Sequence, residues 1–99
     1  SALGAEARYQ LAYAYGLNGD FANAEKFAIE SIENSGSYEY WITKSYLLLG
    51  DVAIAQKDFF NAKATFKSII ENCSIPELRE EAIEKLKSAE QFEKGGKNG

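Results

Sequence analysis

The ten residues 37–46, SYEYWITKSY, contain four aromatic side chains and form the stretch with the clearest capacity to bind something. Rings at this density serve either as a platform for a ligand or as the filling of a core. In a helix, the spacing of the rings decides which of them share a face. Whether these rings contact a ligand or fill a core therefore depends on the helix that contains them and on its neighbours.

The rest of the chain offers little catalytic chemistry. Histidine, the commonest general base, is absent, and the single cysteine, Cys73, has no histidine to activate it. Glutamates near the C-terminus alternate with lysines, which is typical of a solvated helix face with i,i+4 pairs. No glycine-rich phosphate loop is present, and Gly95 and Gly96 come after the last periodic residues. We predict a protein without enzymatic activity, cofactor or metal.

The charge balance argues against nucleic acid as a partner. The chain has 11 basic and 15 acidic residues, a net charge of −4 and no basic cluster, whereas binding a phosphate backbone needs local positive charge. No apolar run approaches the roughly 20 residues that span a bilayer, so we expect no membrane insertion. There is no signal-peptide pattern and no initiator methionine. Ninety-nine residues make one small domain, which we expect to be the C-terminal part of a longer chain.

The sequence predicts five helices and no strand, because no segment alternates polar and apolar residues with a period of two. Asp20, Ser37 and Asp58 are predicted N-caps, since their side-chain oxygens can accept from free amides of a first turn. Ser74 and Glu77 have the spacing of a capping box. The helices are predicted near 3–17, 21–34, 38–56, 59–73 and 76–93.

A helical hairpin is duplicated within the chain. Residues 20–34, DFANAEKFAIESIEN, align without a gap with residues 58–72, DFFNAKATFKSIIEN, and share seven identities at a spacing of 38 residues. Helix–turn–helix units repeated at a fixed period indicate an α-solenoid, whose units bury their faces by stacking. We predict an all-α fold with hairpins at 1–36 and 37–75, a C-terminal capping helix at 76–94 and a disordered tail at 95–99.

Over roughly residues 5–76, the two hairpins resemble the tetratricopeptide repeat family. The second carries Leu49-Gly50, Asp58-Phe59, Ala62 and Phe66, and the first carries Leu11-Ala12, Tyr15, Gly19-Asp20-Phe21, Ala24 and Ala28. The spacing is four residues longer than the usual 34, which is about one helical turn. We expect this turn to extend the start of the third helix. The resemblance implies two tetratricopeptide-like hairpins that bind other proteins.

Helical spacing assigns the aromatic rings of 37–46 to different faces. Tyr38, Trp41 and Tyr46 are predicted to pack in the core, with Trp41 buried against the second helix. Tyr40 lies along a polar strip and is the better candidate for contact with a ligand.

The resemblance also implies which positions line the concave groove of the superhelix. These are Glu6, Tyr9, Tyr13, Tyr40, Lys44, Leu47 and Asp51. A groove lined by tyrosines suits a peptide, because Tyr offers a large surface and a polar tip. The alternative is that Tyr9 and Tyr13 simply pack against the helix of Tyr40. A clamp for a terminal carboxylate is not expected, since only Lys44 could contribute to it.

The resulting interpretation is a non-catalytic scaffold that binds a protein, a peptide or adjacent repeats of the same protein. One alternative is a self-association module of a larger envelope protein, and another is a binder of small ligands or glycans through exposed tyrosines. Leu3, Ala7 and Ala14 form an apolar stripe on the first helix, for which we expect upstream repeats or a weak homodimer as cover. The general texture is similar to repeat proteins of the bacterial cell envelope, which suggests a periplasmic or envelope location.

Overall fold

The fold consists of five α-helices joined by short turns, in a computed structural model that describes residues 1–98 and the side chains as far as Gly95. No strand occurs among these residues, so the predicted all-α fold is confirmed. The helices are α1 (Ala2–Leu17), α2 (Phe21–Asn34), α3 (Glu39–Ala55), α4 (Phe59–Asn72) and α5 (Pro76–Asn98). The first helices of the two hairpins have nearly equal lengths, 16 residues in α1 and 17 in α3.

The second helix of each hairpin begins with the same cap. Asp20 accepts from the backbone N–H of Asn23 at 3.2 Å, and its other carboxylate oxygen accepts from the Asn23 side chain at 2.7 Å. Asp58 and Asn61 repeat this pair at 3.3 and 2.7 Å. Each cap satisfies a backbone N–H that has no partner within its helix. The predicted caps at Asp20 and Asp58 are therefore confirmed.

The starts of α3 and α5 differ from the prediction. Tyr38, not Ser37, occupies the N-cap of α3 and makes no side-chain capping bond. Ser74 does not form the predicted capping box, because its backbone N–H and its hydroxyl both donate to the carboxylate of Glu39. These bonds hold the pKa of Glu39 below its ordinary value. The turn before α5 is thereby tied to the first residue of α3.

The helices form an inner and an outer layer. Consecutive helices pack against each other, and α3 also contacts α1 on one side and α5 on the other. The outer helices α2 and α4 make no such contact with each other in the part of the chain that the structure describes. Because the inner helices approach one another more closely than the outer ones, the face formed by α1, α3 and α5 is the concave side. We call it the inner face.

Small residues lie where the helices approach most closely. Ala24 and Ala62, at equivalent positions of the two hairpins, are both fully buried. Gly50 of α3 faces the ring of Phe66 in α4, and a Cβ built on Gly50 would come within 2.3 Å of a ring carbon. Because Gly50 has no side chain, α3 and α4 can pack closely around Phe66, which is completely buried.

A small polar contact marks the interface between α2 and α3. The hydroxyl of Ser45 donates to the hydroxyl oxygen of Ser31 at 3.0 Å, and both side chains are fully buried. Ser35 is also buried, and its hydroxyl donates to the backbone carbonyl of Ser31. Short side chains let the two helices approach closely, while the hydrogen bonds satisfy their polar atoms.

The structure corrects the predicted positions of two rings in 37–46. Tyr38 and Tyr46 are 42% and 41% exposed, so neither is a core residue. Trp41, the third ring, is partly buried and packs against the core formed by α1, α2 and α3. Its ring also contacts those of Tyr40 and Tyr9. The core side of α3 is occupied by smaller residues, since Leu47, Leu48, Gly50 and Val52 are the buried ones. The aromatic rings consequently lie around the edges of the helix.

α5 closes the apolar side of the second hairpin. Leu78, Ala82 and Ala89 are buried against α4, as expected of a capping helix. The helix continues to Asn98 instead of ending near residue 93, so residues 95–98 are helical where a disordered tail was expected. Glycine in a helix costs about 1 kcal/mol relative to alanine, which disfavours a helix without stopping it. Gly99 lies outside the described residues.

A candidate binding face on the inner helices

Four aromatic side chains of α1 and α3 form a continuous run on the inner face. The rings of Tyr13 and Tyr9 are stacked with their centroids 6.0 Å apart, and Tyr9 lies 5.8 Å from Trp41. Trp41 in turn makes an edge contact with Tyr40 at 4.8 Å. These separations are those of favourable ring pairs. We call these four residues the aromatic face.

The four rings differ in their accessibility. Tyr9 is 8% exposed and belongs to the core formed by α1, α2 and α3. Tyr13 and Tyr40, at the two ends of the run, are 41% and 44% exposed. Packing against α3, the alternative raised from the sequence, thus describes Tyr9. Tyr13 and Tyr40 keep much of their surface available for a partner.

Lys44 lies over the aromatic face. Its ammonium nitrogen is 5.5 Å from the centroid of the Tyr9 ring, within the distance of a cation–π interaction. Lys44 forms no ion pair with any residue that the structure describes. Besides the ring of Tyr9, the carboxylate of Asp51 interacts electrostatically with Lys44.

A patch of charged residues continues the inner face from α3 to α5. The ammonium of Lys85 donates to both carboxylate oxygens of Asp51, each at 2.9 Å, and lies 3.8 Å from Glu81. Burial raises the pKa of Asp51, while the bonds from Lys85 oppose that rise. We call Asp51, Glu81 and Lys85 the charged patch. It joins α3, the first helix of the second hairpin, to the capping helix α5.

The aromatic face and the charged patch influence each other electrostatically. The pKa of Tyr9 is raised to about 12, first by burial and then by Tyr13, Glu81 and Asp51. Both burial and nearby negative charge disfavour the phenolate, so they act in the same direction. Because Asp51 and Glu81 of the charged patch act on Tyr9 of the aromatic face, we treat the two groups of residues as one candidate site.

The predicted groove residues do not all contribute to this surface. Leu47 is 2% exposed and packs in the core between α3, α4 and α5, so it is wrong as an accessible groove residue. Glu6 is half-buried, one helical turn before Tyr9. The remaining predicted residues, Tyr9, Tyr13, Tyr40, Lys44 and Asp51, are brought together as described.

Three residues of the site were missed from the sequence. Trp41 was assigned to the core, whereas Glu81 and Lys85 were interpreted as part of a solvated helix face. A signal for Lys85 was present, because it follows Asp51 by 34 residues, the usual period of the resembled repeat. The spacing of 38 residues found in this chain, however, places Ala89, not Lys85, at the position equivalent to Asp51.

The side chains of the site are of kinds that suit contact with a partner. The site contains aromatic rings, carboxylates and ammonium groups, and no histidine exists in the chain. Among the described residues, no three side chains of a kind that bind metals lie close enough to hold an ion. None of the helices in that part of the chain combines the length and apolarity needed to cross a membrane.

Comparison with known protein families gives two matches. Two family models, both described as tetratricopeptide repeat, match residues 5–38 and residues 44–74. The matches correspond closely to the two hairpins. No curated protein and no solved structure is significantly similar to the chain. Membership of a repeat family gives no information about the cellular compartment. The suggested envelope location therefore stays a prediction.

Proposed function

The chain belongs to the tetratricopeptide repeat family, and from this premise we propose that it is a non-catalytic scaffold whose inner face binds a protein or peptide partner. Repeats of this family generally mediate protein–protein interaction and are typically non-catalytic. The observation that carries the proposal is the position of Tyr13 and Tyr40. Both are exposed, and the packed rings of Tyr9 and Trp41 lie between them.

Exposure of a tyrosine alone does not identify a binding surface, because Tyr38 and Tyr46 are equally exposed elsewhere. The inner face differs in having rings fixed by ring contacts beside the charged patch. A fixed ring loses little conformational freedom when a partner covers it, so more of the contact energy contributes to affinity. Aromatic residues in such surroundings are the residues that dominate interface energies.

The test begins with the selection of peptides from a random display library on the wild-type domain. Binding of the selected peptides is then measured by calorimetry and by the fluorescence of Trp41, the only tryptophan of the chain. Tyr13→Ala and Tyr40→Ala should each weaken binding about tenfold, the effect of removing an interface side chain worth about 1.4 kcal/mol.

Tyr46→Ala is the matched control, because Tyr46 has the same exposure as Tyr13 but lines a groove between α3 and α4. It should leave the affinity unchanged. The proposal fails if the library yields no binders, or if Tyr46→Ala reduces their affinity while Tyr13→Ala and Tyr40→Ala do not.

A second candidate function is self-association through α1. Leu3 and Leu17 are 76% and 71% exposed, and Ala7 and Ala14 of the same helix are also exposed. The equivalent side of α3 is covered by α2, whereas α1 has no helix in that position in the described chain. An apolar stripe of this kind favours contact with a second copy of the chain.

Sedimentation of the wild type over a range of concentrations tests this second function. A weak dimer should form, and Ala7→Glu should abolish it without lowering the helix content. Ala22→Glu, at an exposed alanine of α2, is the control and should still dimerise. A wild type that stays monomeric at the highest concentration rules out the second copy as the cover of α1.

A further inference from the structure

We infer that the partner places a cationic side chain, arginine or lysine, on the inner face, where Lys44 holds the place of that cation in the free protein. This inference rests on the proposed function, since it specifies the chemistry of what the inner face binds. It has two independent supports, which are the position of Lys44 on a ring and the balance of charge around it.

The first support is the contact between Lys44 and Tyr9. An ammonium 5.5 Å from the centroid shows that the Tyr9 ring presents a surface on which a cation can lie. The neighbouring rings of Tyr13, Tyr40 and Trp41 extend this electron-rich surface. A guanidinium group is planar and stacks on such rings, so arginine suits the surface better than lysine.

The second support is the charge surrounding the rings. Glu6, Asp51 and Glu81 contribute three carboxylates, whereas Lys44 and Lys85 contribute two ammonium groups. Asp51 and Glu81 both raise the pKa of Tyr9, which supports an extension of their negative field to the aromatic face. The whole chain also has a charge of −4, so a basic partner is attracted from a distance.

An anionic partner would meet an unfavourable arrangement. Lys85 already donates to both oxygens of Asp51 and is close to Glu81. A carboxylate of the partner would have to displace Asp51 or draw Lys44 away from its ring, while remaining near like charges. A cation needs only to displace Lys44 sideways along the aromatic face, and Lys44 has no ion pair to lose among the described residues.

The test uses pairs of short synthetic peptides that differ only in one central residue, arginine or glutamate, within a common background of tyrosine, leucine and glycine. Affinities are measured by Trp41 fluorescence and calorimetry at low and at physiological salt. The arginine peptide should bind about tenfold more tightly than the glutamate peptide, an effect of the size expected for a partly desolvated cation–π contact. Its advantage should shrink as salt rises.

Lys44→Met gives the sharper result, because it keeps an apolar stem and removes only the ammonium. It should tighten binding of the arginine peptide severalfold, since the ammonium that competes for the Tyr9 ring and repels the arginine disappears. Lys67→Met, at an exposed position of α4, is the matched control and should have no effect.

The outcomes separate this inference from the proposed function. If the glutamate peptide binds more tightly and Lys44→Met weakens it, the inference is overturned, while binding at the inner face stands. The inference is also overturned if Lys44→Met lowers the affinity for the arginine peptide. If neither peptide binds, and library-selected peptides are insensitive to Tyr13→Ala and Tyr40→Ala, the proposed function fails together with the inference.

Discussion

The contact between Gly50 and Phe66 makes a single methyl group a test of the packing between α3 and α4. A Cβ on Gly50 would lie 2.3 and 2.4 Å from two carbons of the Phe66 ring. Ordinary contacts of a Cβ lie at about 3.4–4 Å, so either the ring or the helix must move. Because Phe66 is fully buried, its ring has no free space to enter.

Two effects of opposite sign decide the stability of the Gly50→Ala variant. Alanine favours a helix interior over glycine by about 1 kcal/mol, whereas overpacking of a closed core costs about 1–3 kcal/mol. The displacement needed here exceeds 1 Å, which places the cost in the upper part of that range. We expect Gly50→Ala to lower the free energy of unfolding by about 1–2 kcal/mol, and the melting temperature by several degrees.

Chemical and thermal unfolding followed by circular dichroism provides the measurement. Gly16→Ala is the matched control, since a Cβ there would meet Leu48 and Ala24 at 3.7 and 3.8 Å, which are ordinary distances. That variant should be stabilised by up to about 1 kcal/mol. In a Phe66→Leu background, Gly50→Ala should lower the free energy of unfolding by less, because the ring that the new Cβ would overlap is absent. If Gly50→Ala raises the stability as Gly16→Ala does, the close crossing of α3 and α4 is wrong.

Two further predictions concern buried polar groups. Ser31→Ala removes the acceptor of the buried Ser45 hydroxyl and should lower the free energy of unfolding by about 1–3 kcal/mol. Replacing both serines by alanine should lower it less than Ser31→Ala alone. Urea unfolding of Ser31→Ala, Ser45→Ala and the double variant provides the measurement, and additive losses would contradict the prediction. The pKa of Tyr9 is raised from 10.0 to about 12, so the neutral phenol stabilises the fold below pH 10, and this contribution disappears as the pH rises from 10 to about 12. Tyr9→Phe should flatten this part of a stability–pH curve and remove the latest step of an ultraviolet titration, and an unchanged titration would show that Tyr9 is not the late-titrating group.

The fold could be predicted from the sequence because its determinants are local or repeated. Asp20 and Asp58 cap their helices through residues three positions away, a relation that any single hairpin contains. The duplication then allowed the tertiary arrangement to be predicted, because hairpins with the same small residues stack in the same way. The burial of both Ala24 and Ala62, at equivalent positions of the two hairpins, agrees with this logic.

The directions of the rings could not be predicted as well. Periodicity gives the angle of one side chain relative to another on the same helix, but not which angle faces which neighbouring helix. Tyr46 was taken to point into the core, whereas Leu47 and Gly50 occupy that side. A helix with contacts on several sides has a narrow solvent-exposed strip, so a small error in its orientation moves residues such as Trp41 and Leu47 between core and surface.

The candidate site also depends on residues that hold the inner helices together. Asp51 and Lys85 tie α3 to α5, and the contact of Tyr9 with Trp41 ties α1 to α3. If a partner covers this face as we propose, it contacts the stacked arrangement of the inner helices, and its binding should also stabilise that arrangement by mass action. Affinity and solenoid stability are therefore linked through the same side chains. A variant such as Asp51→Asn should therefore weaken the binding of a partner in two ways. It removes a charge that the partner faces, and it removes an ion pair that holds α5 against α3. Only a comparison of binding with unfolding for each variant separates the two effects.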